Sequence, residues 1–194
     1  MKKAWIVLAV AFLAAGMSLS QGRVVGPSPQ TLDIQVTVTI PTRVGIYLER
    51  DASIDVGAAP NLAHYPPTAF PGYYVDNTNF GGANGTTQME VFCNASTGYD
   101  LTVQAGAANF YAGGPAVTQL YFAPAGTAQT ADGAAAPAAP WTAFNNAAAV
   151  NVLGAAARTN GWEAHHQDFE LQLLGTEDAG TGTVDMTYTI TARP

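Results

Sequence analysis

Between Leu32 and Ile40 the residues Leu32, Ile34, Val36, Val38 and Ile40 are aliphatic, and Asp33, Gln35, Thr37 and Thr39 between them are polar. A strict period of two does not suit a helix, whose side chains return to one face every 3.6 residues or so; in an extended chain it places all five apolar groups on one side. The segment is predicted to be a long β-strand that needs an apolar surface to cover it. The same rhythm closes the chain, where Val184, Met186, Tyr188 and Ile190 alternate with Asp185, Thr187, Thr189 and Thr191. Shorter runs of strand type are Val44, Ile46 and Leu48; Met89 to Cys93; Tyr99 to Gln104; Val117 to Phe122; and Phe169, Leu171 and Leu173. Asn, Ser, Gly and Pro clusters punctuate them. Many short alternating strands in one chain of this size predict an all-β fold, a single Greek-key β-sandwich whose two layers each bury one face.

The chain opens differently. Lys2 and Lys3 precede an apolar run from Ala4 to Ala15, and Ser18-Leu19-Ser20 supplies small residues ahead of Gln21. That run is too short to span a membrane, so residues 1–20 are predicted to be an export signal and the product to be secreted, with no membrane span after its removal. Residues 21–30, with Gly22, Gly26, Pro27 and Pro29, form a flexible leader, and 31–194 a single domain. Removal of 1–20 takes both lysines, leaving five arginines against fourteen acids and a formal charge of -9. This balance argues against nucleic acid or an anionic membrane as partner, since neither finds a basic footprint. It also precludes covalent lysine crosslinks in the mature chain, so any fibre would rest on packing and backbone pairing. The lone Cys93 lies among the apolar members of its run and is predicted to be a buried free thiol filling core volume.

Two stretches break the strand rhythm. Ala58 to Gly85 contains Pro60, Pro66, Pro67 and Pro71 and reads as a long excursion. Its Tyr65, Phe70, Tyr73 and Tyr74 suit either packing back onto the sandwich or a platform for sugar rings. Residues 123–161 are rich in alanine; within them Ala143 to Arg158 is predicted as a short helix, with Phe144, Ala148 and Val152 at helical spacing, or else as an insertion between strands.

No constellation of catalytic type emerges, and the chain is predicted to be a non-enzyme without a cofactor. Glu163, His165, His166, Asp168 and Glu170 form the best metal-like cluster, and on one strand His166, Asp168 and Glu170 would share a face with His165 opposite. Adjacent histidines diverge on a strand, however, and only the distant His64 could join them, so no stable site is expected. Ser28, Ser53 and Ser96 lack a nucleophile elbow. Glu90, Asp100 and Glu170 could supply a carboxylate pair only if the fold set their separation. Asn84 and Asn94 match the glycosylation pattern.

The alternation from Leu32 to Ile40, the segment Cys93-Asn94-Ala95-Ser96-Thr97-Gly98-Tyr99-Asp100-Leu101-Thr102-Val103, and the closing stretch from Gly182 to Ile190 resemble the spore coat protein U family and related secreted fimbrial subunits of chaperone-usher type. The resemblance covers about a fifth of the chain. It implies an immunoglobulin-like sandwich on a cell surface, identical subunits as partners in a homopolymer, and a periplasmic chaperone or surface glycan as further partners. Family members often pair a cysteine after the first strand with one in the middle, whereas this chain has Pro41-Thr42-Arg43-Val44 there. In pili of this kind a subunit receives an extended arm from its neighbour by β-strand addition. Residues 31–40, with Leu32, Ile34, Val36, Val38 and Ile40 as anchors, have the composition of such a donor arm; they suit equally the first strand of their own sandwich.

Overall fold

The structure is a computed structural model that describes residues 36–48, 52–76, 89–127 and 141–194. Residues 1–30, with the expected export signal and leader, and Leu32, Ile34 and Asn84 lie outside the described residues. The chain separates into two units, Met1–Ile40 and Pro41–Pro194. Of the first, residues 36–40 are described: they belong to no strand, and Val36, Val38 and Ile40 are 76, 77 and 78% exposed.

The second unit is an all-β sandwich. Its strands are β1 (Val44–Leu48), β2 (Gly72–Val75), β3 (Met89–Cys93), β4 (Tyr99–Ala105), β5 (Leu120–Pro124), β6 (Thr142–Ala143), β7 (Val150–Ala156), β8 (Glu163–Ala164), β9 (Gln167–Leu173) and β10 (Met186–Ala192). Two short 3₁₀ turns, Asn61–His64 and Val117–Gln119, are the helical elements among the described residues. All strand pairs are antiparallel, in the orders β1-β3-β8, β10-β4-β7 and β2-β9-β5-β6.

The inner face of β4 joins the two halves of the core. Tyr99 and Leu101 pack with Met89, Val91 and Cys93 of β3, whereas Val103 packs with Leu120, Phe122, Phe169 and Leu171 of β5 and β9. The β10-β4-β7 sheet is thus one layer, and the other two sheets together form the layer facing it. Polar residues of β4 alternate outward, as a sheet with one wet face requires. Phe144 plugs the second half: it is fully buried, 4.8 Å from Phe122 and edge-on to Phe169 at 5.4 Å between ring centroids.

The helix expected over Ala143 to Arg158 is not formed. Thr142–Ala143 pairs with β5, and Val150–Ala156 pairs with β4 as an edge strand. Alanine content favours a helix locally, but β4 offers a backbone edge and an apolar face, and Val150 and Val152 fill the core from an extended chain. The pairing is irregular: its register shifts on either side of Leu101, and Ala155 takes φ 53° beside Gly154. Tyr73 and Tyr74 of the proline-rich excursion are buried in β2, so they are core residues and not an open platform; Tyr65 and Phe70 stay 44 and 45% exposed. The strand expected over Val117 to Phe122 begins later, at Leu120, after the 3₁₀ turn.

Candidate functional site

β1 and β10 each end a sheet. Among the described residues β1 is bonded to β3 alone and β10 to β4 alone, and although Cα atoms of the two approach within 8 Å, no ladder joins them. Their outer edges therefore carry backbone N–H and C=O groups with no strand partner among the described residues, the condition that invites β-strand addition. The apolar side chains along this seam are only partly covered: Ile46, Tyr188 and Ile190 are half-buried against the core cluster, and Val44 and Leu48 are 39 and 44% exposed. In β4, by contrast, every inward residue is buried. Tyr188 is anchored by donating its hydroxyl to Gln167 Oε1 at 2.6 Å, and burial pushes its phenol well above the ordinary tyrosine range. The chain enters this seam through a clamp at Asn94. Its Oδ1 accepts the Arg43 amide at 2.6 Å and its Nδ2 donates to the Pro41 carbonyl at 3.0 Å, so this asparagine already uses its side chain to hold the start of β1.

Cys93 is buried at the base of the seam. Its Sγ lies 3.6 Å from the Gly98 carbonyl, and its amide donates to Thr159 Oγ1 at 2.9 Å. The neighbouring turn depends on Gly98, at φ 84°, where a Cβ would run into the Ala156 carbonyl.

The metal-like cluster does not stay on one strand. His165 and His166 occupy a break between β8 and β9. His165 Nε2 meets the buried Tyr99 hydroxyl at 2.9 Å, and His166 Nδ1 accepts the Met89 amide at 3.0 Å. Asp168 accepts the Gly126 amide at 2.8 Å, Glu163 accepts the Asn160 amide at 3.0 Å, and Glu170 is almost fully buried in β9. Among the described residues no three His, Cys, Asp or Glu side chains gather where a metal could be held. His64, in the first 3₁₀ turn, uses its carbonyl to accept the Tyr74 hydroxyl at 3.4 Å. Burial holds the His165 imidazole below the ordinary histidine value and outweighs the opposing pull of Glu163. Both histidines line a cavity of about 460 Å³ whose other walls include Phe122, Thr142, Asn151 and Val152.

The three carboxylates considered for hydrolysis lie on different sheets: Glu90 on β3, Asp100 on β4, where it accepts the Ala155 amide at 2.7 Å, and Glu170 on β9. Ser53 donates its amide to Asp76; Ser96 sits in the turn before Gly98. Two exposed aromatic residues were not singled out by sequence reasoning. Trp162 is 55% exposed and lies 6.0 Å from Phe92 between ring centroids, over the bare backbone of Gly45, and Tyr47 of the same sheet is 52% exposed. Gly45 opposite Phe92 in an alternating strand is the signal that could have pointed to this covering ring. Comparison of the chain with protein-family models, with curated proteins and with solved structures finds no match.

Proposed function

We propose that this chain is a secreted structural subunit of the cell surface that assembles with copies of itself into a filament, residues 31–40 of one copy adding a strand to the open seam of the next. The reading takes the sandwich as immunoglobulin-like with its last sheet position unfilled. The observation that supports it is a complementarity. Residues 36–40 of the alternating apolar segment belong to no strand and expose Val36, Val38 and Ile40, while among the described residues β10 ends its own sheet with Tyr188 and Ile190 half-covered. Each such side chain gains roughly 1.5 to 3 kcal/mol when fully buried, before ordering costs, so several anchors suffice for a stable joint.

The test is electron microscopy of the native protein together with the Val36→Arg variant. Filaments are expected from the native chain and none from the variant, because a guanidinium buried without a partner is costly. Added Thr31 to Ile40 peptide should then cap the variant as a monomer. A native protein that remains monomeric at high concentration, with NMR showing Leu32 to Ile40 packed against its own chain, would overturn the reading.

A second reading, an extracellular sugar-binding or adhesive module, draws support from Trp162 and Tyr47 on the outer side of the β1-β3-β8 sheet. Aromatic faces stack on sugar rings, and loss of glycan binding in Trp162→Ala with filaments intact would assign adhesion to that patch.

A further inference from the structure

Two adjacent histidines at the break between β8 and β9 are engaged by two different strands. The His165 amide donates to the Met89 carbonyl at 2.8 Å, and the Met89 amide donates to His166 Nδ1 at 3.0 Å. These bonds carry the β3–β8 ladder, whose last register pair is Glu90 with Ala164, one position further to Met89. A backbone amide can only donate, so the second bond exists only while Nδ1 of His166 is unprotonated, with the ring hydrogen on Nε2. The imidazole also lines the cavity of about 460 Å³ and is half-buried, within reach of solvent protons.

We propose that the His165–His166 pair is an acid-opened latch: protonation of His166 at Nδ1 turns an acceptor into a second donor facing the Met89 amide and frees the start of β3 from the β8–β9 junction. Around the pair, β4 presents Tyr99, β8 presents Glu163, β10 presents Tyr188 through Gln167, and β9 presents Asp168, which is occupied by the Gly126 amide. Glu90 of β3 is the paired neighbour of Ala164 and faces the side away from the core. The cavity walls from β5, β6 and β7 bring Phe122, Thr142 and Val152 and no charged side chain. His165 reinforces the effect, since burial depresses its protonation in the folded chain and a charge on His166 depresses it further. For His165, which is shifted downward, the stabilisation is complete above its unfolded value, about 6.5, and is lost as the pH falls through the lower folded value. The latch makes no use of residues 31–40, so it can fail while the assembly reading holds, and the reverse.

The test is NMR on the whole exported protein. At about pH 7.5, long-range ¹⁵N correlation should show His166 as the Nε2–H tautomer. Protection of the Met89 amide against hydrogen exchange should fall roughly tenfold or more between about pH 7.5 and about pH 5, after correction for the chemical rate, while that of Leu101 holds. In His166→Gln, whose side-chain oxygen accepts the same amide but does not titrate, Met89 protection should become insensitive to pH. An Nδ1–H tautomer, or acid-insensitive protection at Met89 in the native chain, would overturn the latch; both readings come from the native protein and hold even if the variant does not fold.

Discussion

β4 and the stretch from Val36 to Ile40 share one sequence pattern and have opposite surroundings. In β4, Tyr99, Leu101 and Val103 are 1, 0 and 0% exposed, held between β10 and β7 and facing β3 and β5; in the other segment Val36, Val38 and Ile40 are 76, 77 and 78% exposed. Alternation states which side chains share a face, but it does not provide the surface to cover them. β4 begins at a tight turn set by Gly98 and Cys93 and so has its neighbours built around it. The earlier segment ends at Pro41, whose missing amide ends any ladder it could continue into β1.

The sharpest way to probe this contrast is to remove the same kind of side chain from each. Leu101→Ala should destabilise the folded chain by about 2 to 5 kcal/mol, since a fully buried leucine leaves a cavity that packed strands fill poorly. Urea denaturation followed by tryptophan fluorescence measures this, and a loss under about 1 kcal/mol would mean that β4 is less central than its burial indicates. Cys93→Ser probes the edge of the same core. It should cost roughly 1 to 3 kcal/mol through the buried hydroxyl, and the native thiol should react slowly with a thiol reagent until the chain is denatured. Fast native labelling, or a dimer that vanishes with reductant, would contradict the burial of Cys93. The smallest effect is expected from Val36→Ala, within about 0.5 kcal/mol for the isolated subunit, because its side chain is already in water. A large stability loss there would show that Val36 belongs to the subunit's own core.

Much of the fold could be read from residue order because period-two patterns survive in any context that buries one face. β1, β3, β4 and β9 lie where their alternating residues put them, and β10 begins only at Met186, two residues into its run. The alanine-rich stretch was misjudged because helix propensity is a local quantity worth tenths of a kcal/mol per residue, whereas pairing with β4 and burial of Val150 and Val152 act over the whole strand. The histidine cluster was misplaced for a related reason. Reading residues 163–170 as one strand put His166, Asp168 and Glu170 on a common face, but the break at 165–166 lets each imidazole bond a different strand.

By itself the order of residues determined that this chain is all-β, which side chains of β1, β3, β4, β9 and β10 share a face, and where Cys93 would sit, because these follow from backbone geometry and the aversion of apolar groups to water. Only the tertiary structure decided which strands become neighbours, that β1 and β10 end their sheets beside one another, and that Met89 is gripped by two histidines far along the chain. Those outcomes depend on pairings between segments tens of residues apart, and a hydrophobic pattern read one segment at a time has no term for the partner it will meet.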